Sequence, residues 1–163
     1  MIVILMGVTG TGKTTIGTLL AARTGWKFAE GDDYHSEANK SKMHAGIPLT
    51  DEDRAPWLAT LHEVLSGWFE QGESGILACS ALKQAYRETL IAGISRGAYR
   101  FVMLQVSREH LAERLAKRTG HYMSPALLDS QLATLEEPSD AMKVSAEGSA
   151  EETVESIAKQ LGV

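Results

Sequence analysis

The chain has 163 residues, 44% of them hydrophobic and 23% charged, enough for one domain that buries a core without a disulfide or metal staple. Sixteen Lys and Arg against 21 Asp and Glu give a formal charge of −5, which excludes a general nucleic-acid or membrane-surface binder. Any anionic ligand must therefore be held by locally placed cations. Cys79 is the only cysteine, so neither an intrachain disulfide nor a cysteine zinc site is expected.

Met1-Ile2-Val3-Ile4-Leu5-Met6 opens the chain as a continuous apolar run, the pattern of a strand buried on both faces. It is too short for a signal core and lacks a basic leader, and no run of about 18 apolar residues follows. The cytosol is the expected address. A Gly-rich turn leads to Ile16, Leu19, Leu20 and Arg23 at helical spacing, closed by Gly25. Trp26 to Glu30 reads as a second strand, ending in the acids Glu30, Asp32 and Asp33. Leu58, Leu61, Leu65 and Trp68 form the apolar stripe of a helix ending near Gly72.

Gly75 to Ser80 and Arg100 to Val106 read as a third and a fourth strand. Ser107 can cap a helix carrying Leu111 and Leu115, and Ser124-Pro125 can start another with Leu128, Leu132 and Leu135. Ala141 to Ala146 is a candidate fifth strand, and Ser149-Ala150-Glu151-Glu152 is a capping-box pattern before Val154, Ile157 and Leu161. Strands alternating with helices imply an α/β fold, a parallel sheet with ligands at its carboxyl edge.

Gly7-Val8-Thr9-Gly10-Thr11-Gly12-Lys13-Thr14 matches the phosphate-loop pattern G-x-x-x-x-G-K-[ST], between the strand and the helix that it requires. Its backbone N–H groups can turn inward on phosphate oxygens, aided by the positive end of the following helix. Lys13 can reach the terminal phosphates, and the Thr14 hydroxyl can ligate Mg²⁺. Glu30-Gly31-Asp32-Asp33-Tyr34-His35 follows the second strand and should emerge at the same edge. Carboxylates there can take a proton from an acceptor hydroxyl or hold waters on a metal.

Asp51-Glu52-Asp53 precedes an amphipathic helix, where acids favour the helix dipole. Arg54 is unfavourable at such a terminus, and a substrate anion would account for it. Ser80-Ala81-Leu82-Lys83 follows the third strand, with Tyr86 and Arg87 one turn on; Lys83 and Arg87 share a helix face, lining the site or solvated. Arg114 and Arg118, also four apart, lead into Thr119-Gly120-His121. They can clamp a transferred phosphate beneath a cover at the Gly120 turn, or simply charge a helix end. Cys79 lies in an apolar strand and reads as core.

Taken together, these segments resemble the bacterial gluconate kinase family, within the shikimate kinase and nucleoside monophosphate kinase-like group. The resemblance spans the whole chain and rests on Gly7 to Thr14, Gly31 to His35, Leu49 to Leu58, Ala78 to Lys83 with Tyr86-Arg87, and Arg118 to Met123 before Leu127 to Gln131. It implies one P-loop kinase domain over 1–163, a five-stranded parallel sheet in the order 2-3-1-4-5, and a lid at about 119–124. It further implies phosphorylation of D-gluconate by ATP with Mg²⁺, in a cytoplasmic homodimer without nucleic-acid or membrane partners.

By the same resemblance, Gly7, Val8, Thr9, Gly10, Thr11, Gly12, Lys13, Thr14 and Thr15 hold the nucleotide, and Thr14 holds Mg²⁺, with Glu30 or Asp32 acting through water. Lys13, Asp32 and Arg118 are the catalytic candidates. Asp32, His35, Arg54, Ser80, Lys83, Arg87 and His121 are those for the substrate, with the carboxylate partner open among Arg54, Lys83 and Arg87. A kinase for another small acceptor, such as a nucleoside monophosphate or shikimate, is the alternative enzyme. A nucleotide-dependent switch is the alternative of another class, which a small polyol would leave indifferent.

Overall fold

Strand β1, Ile2–Met6, is buried at every position and runs through the centre of the sheet in the computed structural model, which describes residues 1–117 and 125–163. Its side chains alternate between two cores. Ile2, Ile4 and Met6 pack with Trp57, Leu61, Leu65 and Leu90 on one face. Val3 and Leu5 pack with Ile16, Leu20, Val154 and Ile157 on the other. That double burial is why the first strand is a solid apolar run rather than an alternating one.

Strands β2 (Lys27–Glu30), β3 (Gly75–Ala78), β4 (Tyr99–Gln105) and β5 (Met142–Ser145) complete a sheet ordered β2-β3-β1-β4-β5. Every pairing is parallel, as the alternation of elements predicts. Helices α1 (Lys13–Thr24) and α7 (Ala150–Leu161) cover one face; α3 (Asp51–Glu70) and α4 (Gln84–Ile91) cover the other. A third apolar cluster joins Val8 of the glycine-rich loop to Leu111 and Leu115 of α5 (Arg108–Lys117) and Leu128 of α6 (Pro125–Thr134).

Helix α2, Glu37–His44, has no counterpart in the hydrophobic pattern. Its residues EANKSKMH offer no apolar stripe, and its buried member is Asn39. Ser36 starts it by accepting from the Asn39 N–H. At α7, Ser149 accepts from Glu152 N–H, 3.1 Å away, as its sequence suggests. A complete capping box forms at α3, where Thr50 and Asp53 exchange side-chain-to-backbone bonds.

Candidate active site

The carboxyl ends of β1, β2 and β3 each open into a turn bearing site candidates, so the parallel sheet gathers them at one edge. After β1, Gly12 takes a left-handed conformation (φ 94°) immediately before α1, with no side-chain cap. The helix thus turns the positive end of its dipole toward the loop, where an anion is favoured. Lys13 folds back over the loop, its Nζ 2.8 Å from Gly7 O and 3.1 Å from Val8 O. Thr11 is buried and donates its hydroxyl to Val8 O at 3.0 Å, which braces the loop from within.

Two contacts tie later elements to the loop. Gln131 Oε1 of α6 accepts from Thr9 N–H at 2.8 Å. Arg114 of α5 donates to Gly10 O at 3.2 Å and to Ala146 O at 2.6 Å. A cleft of about 240 Å³ beside the loop is lined by Gly10, Gly12, Thr15, Arg114, Gly148 and Thr153. Arg114 therefore joins the loop to the turn after β5, instead of projecting freely as the phosphate clamp that its spacing from Arg118 suggests.

After β2, Gly31 to Tyr34 form a 3₁₀ turn capped by Glu30, whose carboxylate accepts from Asp32 N–H at 3.3 Å. Gly31 is demanded by space: a Cβ there would lie 2.6 Å from Ala78 O, inside contact distance. The Thr14 hydroxyl donates to Glu30 Oε2, so the loop and the acidic turn meet directly. These hard oxygen donors fit Mg²⁺, which takes few protein ligands and keeps water and phosphate for the rest. Among the described residues no cluster of three His, Cys, Asp or Glu is built to hold a metal alone.

Asp32 is largely exposed, its side chain 68% accessible. His35 beside it is buried and stacks on Trp57, ring centroids 4.1 Å apart at 16°. The Trp57 indole N–H donates to Gly31 O at 2.7 Å, so one tryptophan holds both ring and turn. Burial pushes the His35 pKa below its ordinary 6.5, against an opposing pull from Asp32, which favours the neutral ring.

Arg54 and Lys83 meet around Tyr86. Arg54 Nη1 donates to Leu49 O at 2.8 Å and to Tyr86 Oη at 3.2 Å. The Tyr86 hydroxyl donates to Asp51 Oδ1 at 2.5 Å, and Lys83 Nζ lies 3.4 Å from the same oxygen. The tyrosine hydroxyl first, and then the lysine charge, lower the Asp51 pKa. Asp51 is thus part of a polar cluster and not only a favourable charge at a helix end.

Arg87 is placed differently. It is buried at 3% exposure, and it donates to Ala81 O and Glu136 O, each at 2.7 Å. It braces the turn after β3, in which Ala81 takes the left-handed region at φ 48° and Ser80 O accepts from Gly7 N–H at 3.2 Å. Cys79 is buried beneath the site; burial pushes its thiol up to about 12, against the smaller opposing effects of the Ala81 backbone and Lys13. It is core, as the apolar run before it predicts. Arg118, His121 and the segment 119–124 lie outside the described residues.

The loop, the acidic turn and the Arg54–Tyr86–Lys83 cluster come from separate stretches of chain. Trp57, Asp51 and Gln131 are the members that motif reading leaves out of the site, because each stands among residues explained by helix formation. Only the pairing of Trp57 with an acid-rich turn in space reveals its part.

A profile of the AAA domain family matches residues 2–138. The chain is 52% identical to gluconokinase of Gluconobacter oxydans over 140 residues, 84% of this chain and 76% of that one. It is 44% identical to the thermosensitive gluconokinase of Escherichia coli, covering 83% and 71% of the two chains. In structure it resembles a gluconokinase from Sinorhizobium meliloti, with a TM-score of 0.84 at 39% identity over 98% of this chain and 94% of that one. Shikimate kinase from Aquifex aeolicus, at 17% identity and a TM-score of 0.62 over 99% and 96% of the chains, shares the fold alone. A phosphate loop facing an acidic turn, together with relatives matched over most of their length, establishes that the chain belongs to the gluconokinase family of P-loop kinases.

Proposed function

We propose that the chain transfers the γ-phosphoryl group of ATP to the 6-hydroxyl of D-gluconate, giving 6-phosphogluconate and ADP. The observation that carries this reading is the meeting of the phosphate loop with the acidic turn at Thr14 and Glu30, with a cationic, hydroxyl-rich cluster at the same sheet edge. Gluconate has one carboxylate and several hydroxyls, so its pocket needs a cation and acceptors together.

Residues Gly7 to Thr15 hold the phosphates, with Lys13 moving from its loop carbonyls onto the terminal oxygens. The cleft walled by Arg114, Gly148 and Thr153 suits the rest of the nucleotide. Thr14, with Glu30 or Asp32 through water, would hold Mg²⁺, which would supply charge neutralisation at the phosphates. Asp32 accepts the proton of the 6-hydroxyl as its oxygen bonds to phosphorus and the bond to the β-phosphate oxygen breaks. Arg54 and Lys83 take the carboxylate, His35 and Ser80 take hydroxyls, and Arg87 acts by bracing Ala81 and Glu136. In this reading 1–163 is one kinase domain, with 119–124 as its lid and Arg118 and His121 closing on the transferred group and the substrate.

The same reading has a cytosolic homodimer; no helix among the described residues is long and apolar enough to cross a membrane. Coupled ADP release with and without gluconate tests the activity. Gluconate-dependent release, absent with shikimate and nucleoside monophosphates, is expected. Equal turnover on those acceptors refutes the substrate assignment, and sedimentation of the purified chain tests the dimer.

A further inference from the structure

Asn39 is 5% exposed and is the buried residue of α2. Its side-chain nitrogen donates to Asp53 O at 2.9 Å and lies 3.2 Å from His35 Nδ1. A backbone carbonyl only accepts, so the Asn39 group between these two atoms is the NH₂ end, and its second hydrogen faces the imidazole. Nδ1 must then accept. A neutral imidazole that accepts at one nitrogen carries its proton on the other. That proton sits on Nε2, which lies 3.9 Å from Asp32 Oδ1.

The ring cannot easily turn to escape this arrangement. It is stacked on Trp57 at 4.1 Å, and the Trp57 indole is fixed by its 2.7 Å bond to Gly31 O. The 3.9 Å separation exceeds a direct hydrogen bond, so Nε2–H and the Asp32 carboxylate can serve one hydroxyl between them. A hydroxyl oxygen that accepts from Nε2–H can point its own hydrogen at Asp32 and keep a lone pair for phosphorus. The opposite tautomer would present a second acceptor for the same hydrogen and leave the oxygen unheld.

We infer that Asn39 is a positioning residue: through Asp53 O and His35 Nδ1 it fixes the Nε2–H tautomer, making His35 a donor to the acceptor hydroxyl and leaving Asp32 as the base. This rests on the kinase reading proposed above. Long-range ¹H–¹⁵N correlation on the full-length free enzyme reads the tautomer directly, and an Nε2–H ring is expected.

Asn39→Asp replaces the donor with a carboxylate that accepts from Nδ1–H, so the tautomer should reverse. With gluconate, kcat should then fall about tenfold or more while KM for ATP holds, as expected when a hydrogen bond to a reacting group is lost. In a His35→Gln background, whose amide can still donate at the reach of Nε2, the same Asn39→Asp change should cost less than about twofold. Equal losses in both backgrounds would mean that Asn39 only supports the fold. An Nδ1–H ring in the wild type overturns the inference without any need for the variant to be stable, and a reversed ring with an unchanged rate in the folded variant overturns it as well. Because the tautomer is read without substrate, its failure is distinct from a wild type that shows no gluconate turnover, which would overturn the substrate reading.

Discussion

The two ends of the site are built from different material. At the proposed phosphate end the loop offers mainly its backbone, shaped by the turn before α1 and braced by Thr11, Gln131 and Arg114. At the acceptor end the groups are side chains drawn from the turn after β2, from α2, α3 and α4, each held by a neighbour: Trp57 on His35, Tyr86 on Arg54. A phosphate is the same in every nucleotide, and a backbone cradle suits it. A polyol acid is a particular pattern of donors and acceptors, and only side chains can be exchanged to match one.

The contrast predicts that damage at the phosphate end removes chemistry for any acceptor, whereas damage at the acceptor end is selective. Lys13→Ala should have the largest effect, lowering kcat by about 10³, the scale of losing a charge-stabilising donor in the transition state. It lies in a ligand loop, so thermal melting should stay unchanged; near-normal turnover would break the assignment. Asp32→Asn should lower kcat by about 10², the lower end for losing a general base when the transition state is loose, with ATP affinity preserved. A loss under about twofold would move the base elsewhere.

Arg54→Ala should leave kcat near normal and raise KM for gluconate about 10- to 100-fold, the worth of one charge-assisted hydrogen bond. An unchanged KM in a gluconate titration would shift the carboxylate to Lys83. The smallest effect concerns the scaffold shared by α2 and α3. Asp53 is held from its ordinary 3.8 down to about 2, chiefly by Lys42 and then by the Thr50 N–H. Its carboxyl binds a proton less tightly folded than unfolded, so it stabilises the fold above pH 3.8 and loses that contribution as pH falls toward about 2. Melting temperatures of wild type and Asp53→Asn should therefore converge near pH 2 and separate above 3.8; a constant gap would refute the linkage.

Sequence legibility follows the same division. The loop after β1 could be read because a backbone cradle needs Gly7, Gly10 and Gly12 at fixed spacing in one short stretch, and spacing survives in a string of letters. Strands β1 and β3 could be read because burial on both faces leaves apolar runs. Helix α2 could not, since Asn39 rather than an apolar stripe anchors it. Arg87 shares its helix face with Lys83 by spacing, yet spacing does not say what lies across from that face. In the fold it is carbonyl oxygens. Asp51 and Asp53 look like equal charges at one helix start, but one bonds Tyr86 and the other caps the helix and pairs with Lys42.

Cys79 carries a practical consequence. It is the chain's sole thiol, it sits at 3% exposure under the acidic turn, and its pKa of about 12 keeps it unreactive in the closed state. Alkylation can therefore proceed only when the floor of the site opens, and the labelling rate becomes a clock for that opening. With one thiol there is one signal, and it needs no engineered probe. A ligand that knits the phosphate loop to the acidic turn should slow the clock, even when no phosphoryl group is transferred.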